Sequence, residues 1–432
     1  MQCSDVAPLH CNRGVQGGSV PHMNVPRVPE ISRRSFLRRA ALAAAVLPAG
    51  LRAETLTLPF ENGERELVKY PQKRALIRLT SRPPQLETPF AIFNDGAITP
   101  NDAFFVRYHL AGSPPARELL TADAFRVQVL GKVNTPVKLS IEELRRHFEP
   151  IEITAVNQCS GNGRGFFNPR VPGGQLGNGA MGNAKWKGAR LKDVLEMAGL
   201  AAGAKQVLFN GLDAPPAPTV PDFVKALDVE QALDPDILLA YEMNGEPLPW
   251  LNGFPLRLVV PGHYGTYWVK HLHEITVVDE QFKGFWMDPA YRIPDTECAA
   301  IAPGTAPKKT VPISRFNVRS FITSLADGAQ LKAGVQQIVK GIAFDGGHAI
   351  REVLFSSNDG HTWRAAELGK DLGKFSFREW TIPFAPKTEG ERKLRCQAIN
   401  ILGQSQPLDP LWNPAGYMRN VVETVTVTVQ KA

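Results

Sequence analysis

Apolar and polar positions alternate most regularly in the last third of the chain. Ile338 to Phe344, Glu352 to Ser356, Trp363 to Glu367, Lys374 to Ile382, Lys393 to Ile399 and Val421 to Val429 each read as a short strand, and Asn358-Asp359-Gly360 supplies a hairpin turn. The even spacing predicts a β-sandwich of immunoglobulin type over residues 306–432. Upstream the pattern is mixed. Phe125 to Leu130, Glu152 to Val156, Gln206 to Asn210, Leu256 to Val260 and Ile275 to Val278 read as strands. Ser140-Ile141-Glu142-Glu143 is a capping box opening a short helix to Phe148, and Arg190 to Ala198 reads as a helix closed by Gly199. Further helical pieces are expected near Phe223 to Leu227 and Val229 to Leu233. An α+β domain over 95–305 follows from these elements. Residues 101–110 read as a strand with Arg107 and His109 on one face. The proline-rich stretch 54–94 reads as an irregular arm, nine glycines between 161 and 188 as a long loop, and Thr305 to Val311 as a linker.

Composition narrows the class of protein. The chain has 432 residues, enough for two or three domains, and at 43% hydrophobic and 21% charged it has the makeup of a globular protein. No uncharged apolar run has the roughly 18–20 residues of a membrane span. The net charge is +7, but residues 1–53 hold seven Arg against two acidic residues, and the remainder balances 42 basic with 40 acidic. The excess belongs mainly to a leader, so it makes no case for nucleic-acid binding. That leader carries Ser32-Arg33-Arg34-Ser35-Phe36-Leu37-Arg38 ahead of the apolar stretch Ala40 to Leu47. Such an order predicts an export signal over 1–53, with paired arginines like those of the twin-arginine route and a periplasmic destination. Cleavage is expected after Ala53, and Met23 is an alternative start. Cys159, Cys298 and Cys396 would then remain, an odd number, so at least one is free or bound to something.

Cys159 is the residue with the most chemical promise. It ends an apolar strand in Asn157-Gln158-Cys159-Ser160-Gly161-Asn162-Gly163-Arg164, where a nearby cation would favour a thiolate and glycines would let a large ligand approach. On the residues alone three readings stay open: an inert buried thiol, a nucleophile paired with histidine, and a soft ligand for a metal or metal cofactor. Gly177-Asn178-Gly179-Ala180-Met181-Gly182 fits the pattern G-x-G-x-x-G, but no core strand precedes it and the expected helix starts only near Arg190. A dinucleotide site needs both, and the nucleotide reading is rejected.

Several separated motifs share one order with a known family. Phe104-Phe105-Val106-Arg107-Tyr108-His109-Leu110, Gln158-Cys159-Ser160-Gly161-Asn162, Ala240-Tyr241-Glu242-Met243-Asn244-Gly245, and Pro255 to Gly262 with Val269-Lys270 resemble the sulfite oxidase family of molybdenum enzymes. Asp359-Gly360, Trp363 and Trp412-Asn413-Pro414 resemble its dimerisation domain. Gly173 to Met181 and Ala290-Tyr291-Arg292-Ile293-Pro294 are most similar to the bacterial sulfite dehydrogenase branch.

The resemblance implies a molybdopterin-binding catalytic domain at 95–305 and an immunoglobulin-like, dimerisation-type domain at 306–432. It implies that Cys159 binds molybdenum together with one molybdopterin. The matching cofactor positions are Phe105, Val106, Arg107, Tyr108, His109, Asp213, Asn252, Arg257, Trp268, Val269 and Lys270, with Arg257 and Lys270 suited to the phosphate. Asn252 departs from the animal enzymes, where histidine is common. Arg107, Arg164 and Tyr291 match the family's substrate pocket, and His109 would tune or hydrogen-bond Arg107. Arg292 and the two remaining cysteines would be structural. The implied reaction is oxidation of sulfite to sulfate by oxygen-atom transfer, the protein binding and orienting while the metal supplies the chemistry. The chain has neither C-x-x-C-H nor His-Pro-Gly-Gly, so no haem is expected on it, and electrons would pass to a c-type cytochrome, as subunit or transient partner. A homodimer through the C-terminal domain is also implied. Rival readings are a sulfane dehydrogenase, another reductase of the family, or a periplasmic binding or assembly protein that kept the fold without catalysis.

Overall fold

The structure, a computed structural model, describes residues 54–57 and 63–432, and the expected export signal lies outside them. Contacts divide the chain into Met1–Arg52 and Ala53–Ala432, and only the second unit is described below.

Strands outweigh helices. Among the described residues the α-helices are Ile141–His147, Leu191–Ala198 and Val229–Ala232. The expectation of an α+β domain is thereby corrected to a mostly β one. The first helix forms where its box predicts: Ser140 Oγ accepts from Glu143 N–H, and Glu143 Oε2 accepts from Ser140 N–H at 2.8 Å. The second buries Leu191, Val194, Leu195 and Ala198 on one face and stops at Gly199.

The sheet that positions Cys159 is built on a long antiparallel pair. Ile151–Gln158 runs beside Met181–Arg190, in register from Ile151 with Gly188 to Gln158 with Met181. Leu238–Met243 lies along the other edge of Met181–Arg190 and pairs in turn with Arg257–Val259. A second sheet orders Val224–Asp228, Gln206–Gly211, Leu272–Val278, Val127–Gly131 and Val137–Leu139, with Leu272–Val278 and Val127–Gly131 parallel. The C-terminal part holds two sheets. One is Arg319–Ile322, Gln337–Phe344, Arg378–Phe384 and Glu367–Leu368; the other is Ala329–Lys332, Thr424–Gln430, Gly390–Asn400, Ile350–Ser356 and Arg364–Ala365. Their facing sides share a core of Val339, Trp380, Phe355, Leu394 and Val427, all at most 1% exposed. Trp380→Ala removes the largest of these side chains and is expected to cost about 3–5 kcal/mol of stability, read from a urea midpoint.

Several sequence expectations change. Residues 54–94 are no irregular arm: Thr55–Thr57, Glu64–Val68, Leu76–Ser81 and Pro84–Glu87 form an antiparallel sheet completed by Val106–Arg107. The prolines misled because they occupy turns and the start of a strand, where no ladder N–H is needed. The expected strand at 101–110 shrinks to Val106–Arg107. The glycine loop ends at Ala180, since Met181–Arg190 is a strand containing Gly182 and Gly188. Gly188 belongs there because a Cβ would lie 2.1 Å from the Leu239 carbonyl oxygen of the neighbouring strand. Val224–Asp228 is a strand, not a helical piece; a short apolar run has no period that separates the two. Trp363 to Glu367 divides into two short strands in different sheets. Within the expected linker, Thr310–Pro312 pairs with Arg292–Pro294, and Arg292 donates to Thr310 O at 2.6 Å. The main core also runs past residue 305, taking in Ile313, Phe316, Phe344 and Phe377.

Candidate functional site

Cys159 stands one residue beyond the long strand pair, its N–H bonded to the Ala180 carbonyl at 2.9 Å as a last rung of the ladder. Its thiol is free and buried. Two cavities meet there. The inner one is lined by Phe105, Arg107, His109, Asn157, Cys159, Ser160, Asn252, Arg257, Thr266, Trp268, Lys270 and Tyr291, among others. The outer one is lined by Arg107, Cys159, Gly161, Arg164, Trp286, Tyr291 and Tyr417, among others. Arg107, Cys159 and Tyr291 form the common wall, and neither lining includes a carboxylate.

The inner cavity is short of partners for its polar atoms. Arg257 Nε, both side-chain polar atoms of Asn157, Ser160 Oγ and Thr266 Oγ1 are buried without a hydrogen bond. Arg257 donates to the Asn252 carbonyl at 3.1 Å and lies over the rings of Trp186 and Trp268, with no acidic partner among the described residues, and burial lowers its pKa to about 9. Burial, with Arg257 adding to it, also brings Lys270 down to about 7, while Lys270 Nζ donates to the Arg107 carbonyl at 2.8 Å. Buried orphan donors are costly in an isolated protein. A polar, anionic ligand would satisfy them, and a large pterin cofactor with a phosphate fits this set of groups. Asn252 is held by Lys73, which donates to its Oδ1 at 2.5 Å and to the Phe104 carbonyl at 2.9 Å.

At the common wall His109 Nε2 and the Tyr291 hydroxyl are hydrogen-bonded, so His109 pairs with Tyr291 and not, as expected, with Arg107. Burial, followed by the charges of Arg107, Lys270 and Lys225, holds His109 well below its ordinary pKa, which keeps the ring neutral. Its face stacks on Phe223 at 3.9 Å between centroids. Burial raises the Tyr291 pKa, and its ring stacks on Tyr417 at 5.4 Å. Arg164 lies over Tyr417 at 4.9 Å and donates through Nε to the Ala415 carbonyl at 3.1 Å. The C-terminal region therefore furnishes part of the outer wall.

Four sequence-predicted residues line neither cavity. Val106 packs in a small core with Leu76 and Leu86. Tyr108 turns away to His271, and Val269 lies in the main core. Asp213 accepts from Ser113 Oγ at 3.3 Å, and burial raises its pKa. Conversely, the sequence did not single out Asn157 and Ser160, which flank Cys159, nor Thr266, Tyr417 or Lys225. Lys225 is fully buried, donates to the Trp286 carbonyl at 2.5 Å and faces the Tyr291 ring at 4.9 Å. It escaped notice because its strand read as a helix.

His271 locks the floor beneath Lys270. Its ring nitrogens meet the Phe254 carbonyl at 2.6 Å and the Tyr108 hydroxyl at 2.7 Å, and burial lowers its pKa to about 3. The unfolded chain thus binds the proton first as pH falls below about 6.5, and stability is lost on acidification from there towards pH 3. His271→Leu should lower the melting temperature at neutral pH but flatten its fall between about pH 6.5 and 4; an unchanged slope would assign the acid lability elsewhere.

Comparison with known proteins gives this geometry its class. Residues 112–286 match the profile of an oxidoreductase molybdopterin binding domain, and residues 310–430 that of a Mo-co oxidoreductase dimerisation domain. The site is thus that of a molybdopterin-dependent oxidoreductase. The mitochondrial sulfite oxidase of Rattus norvegicus is 34% identical over 377 residues, covering 83% of this chain and 67% of that protein. The sulfite oxidase of Arabidopsis thaliana is 31% identical over 389 residues, covering 84% of this chain and 96% of that protein. The chain belongs to the sulfite oxidase family of molybdenum oxidoreductases. Its fold is shared by the sulfane dehydrogenase SoxCD from Paracoccus pantotrophus, at a TM-score of 0.67 and 22% identity, covering 89% of this chain and 94% of the other.

Proposed function

We propose that this chain oxidises sulfite to sulfate at a molybdenum centre ligated by Cys159. The observation that carries this reading is the position of Cys159 on the shared wall of two cationic, carboxylate-free cavities. A thiolate is a soft ligand suited to molybdenum, and the inner cavity supplies unpaired donors for an anionic pterin. When bound, the molybdenum cofactor supplies oxygen-atom transfer and accepts the electron pair. Arg257 and Lys270 would hold the phosphate, Asn252 and the orphan groups of Asn157, Ser160 and Thr266 would hold the pterin, and Phe105 and Trp268 would close around it, with Val106, Tyr108 and Val269 supporting that wall from outside the cavity. Asp213, bonded by Ser113 outside the cavity lining, would act on the site through its charge on Lys270.

The outer cavity receives the substrate. Arg107 and Arg164 attract and orient the sulfite anion, and water is restricted by Trp286 and Tyr417. The Tyr291 hydroxyl donates towards the reacting anion or to His109 Nε2, and neutral His109 fixes the orientation of that hydroxyl without taking its proton. Electrons leave to a c-type cytochrome, haem being on the partner and not on this chain. On this reading the chain works as a periplasmic sulfite dehydrogenase, delivered by the twin-arginine leader over 1–53. The two C-terminal sheets packed on a shared core support an immunoglobulin-type sandwich, and the match of residues 310–430 to a dimerisation domain supports a pairing of two copies. Among the described residues no helix is long and apolar enough to cross a membrane.

Metal analysis of the purified protein, made in a host that synthesises the cofactor, tests the reading. About one molybdenum per chain is expected, with sulfite-dependent reduction of ferricyanide or cytochrome c. Molybdenum without sulfite turnover would redirect the proposal to protein-bound sulfur. A well-folded chain free of molybdenum would end it.

A further inference from the structure

The glycine motif that mimics a nucleotide loop sits between two buried polar side chains, Glu87 and Arg319, far apart in the sequence. Glu87, 1% exposed at the end of Pro84–Glu87, accepts from Gly177 N–H at 3.0 Å and from Gly179 N–H at 3.2 Å. Arg319, 1% exposed in Arg319–Ile322, donates to Asn178 Oδ1 at 2.7 Å. It also reaches Gln158 Oε1 at 3.4 Å and the Asn162 carbonyl at 3.5 Å, on either side of Cys159. Glu423 stands 3.4 Å from Arg319 and binds Arg419 as well, so the guanidinium is steered from behind.

The gripped segment passes its position to the cysteine loop. The Ala180 carbonyl accepts from Cys159 N–H, Ala180 N–H donates to Asn162 Oδ1 at 3.0 Å, and the Gly177 carbonyl accepts from Gly163 N–H at 2.7 Å. Gly179 cannot be larger: a Cβ there would lie 2.2 Å from the Thr88 carbonyl oxygen. Two glycine N–H groups thus converge on one buried carboxyl of the protein itself, whose pKa burial pushes up to about 7.

We propose that Glu87 and Arg319 are positioning residues that clamp Gly177–Ala180 from the N-terminal and C-terminal sides and so set the direction of the Cys159 thiol. Neither lines either cavity, and both act through the glycine segment. The clamp rests on the reading of Cys159 as the metal ligand only in its consequence for the metal; its effect on the thiol stands without it.

The test compares holoenzymes of the wild type, Glu87→Gln, Arg319→Lys and Asn178→Ala. Molybdenum content should stay within about twofold, while the thiolate-to-molybdenum charge-transfer absorption shifts and kcat falls by roughly 10–100-fold with KM nearly constant, the scale expected of outer partners of a metal ligand. In full-length chain stripped of cofactor, alkylation of Cys159 by iodoacetamide, followed on its own peptide by mass spectrometry, should be about tenfold faster in the variants than in the wild type. Wild-type spectrum, kcat and alkylation rate in all three variants would overturn the clamp. Should Glu87→Gln or Arg319→Lys fail to fold, Asn178→Ala, which removes only the short bond to Arg319, decides alone. If Cys159→Ser keeps the charge-transfer band, the ligand assignment falls and the alkylation rates still judge the clamp.

Discussion

Cys159→Ser is expected to give a folded chain without sulfite oxidation. The substitution is nearly isosteric, and the Cys159 N–H bond to Ala180 is made by the backbone, so the local ladder survives. What is lost is the soft ligand; a serine oxygen is a hard one and stays protonated at neutral pH. Turnover should fall by more than the roughly 10–100-fold typical of a partner outside the coordination sphere. Circular dichroism and the melting temperature check the fold, metal analysis checks retention of the pterin by its other contacts, and the ferricyanide assay checks turnover. Normal turnover in a folded variant removes the assignment.

Arg107→Gln should act on a different constant. Arg107 lines both cavities and is only partly buried, so it can be changed without leaving a hole. Its guanidinium bonds the Tyr108 carbonyl, an acceptor that glutamine can still satisfy. The missing piece is a charge facing the substrate anion. A hydrogen bond to a charged group contributes about 1.5–3 kcal/mol, so KM for sulfite should rise by roughly 10–150-fold, with molybdenum content unchanged. Arg107→Lys keeps charge but loses the fork and should fall between the two. An unchanged KM in the glutamine variant would place the anion elsewhere, with Arg164 the next candidate.

The parts of the fold that were legible in the sequence are those with strong local signals. The capping box at Ser140, the turn at Asn358-Asp359-Gly360 and the alternating strands of the tail need only neighbouring residues to define them. The strand Met181–Arg190 did not announce itself, because its glycines are explained by the strand packed against it and not by a turn. The N-terminal sheet was hidden for a related reason: each of its strands is short, and only their pairing shows why prolines are tolerated there. At the site, Cys159, Arg107 and Tyr291 were found through motif order, and the structure brings all three to one wall. Lys225, Tyr417, Glu87 and Arg319 could not be found that way. Their meaning depends on contacts made across long sequence separations, such as that between Arg319 and Asn178.

The short ladder of Arg292–Pro294 and Thr310–Pro312 begins one residue after Tyr291, and Ile313 N–H closes on the Tyr291 carbonyl at 2.9 Å. The tyrosine of the cavity wall is thus suspended from the stretch that carries the chain into its C-terminal half. Anyone building chimeras would be tempted to splice between 286 and 310, where the two family profiles leave a gap. That cut would separate Tyr291 from the strand that hangs it, and a graft of either half as a module would bring a displaced tyrosine with it. A workable junction must keep residues 291–313 from a single parent.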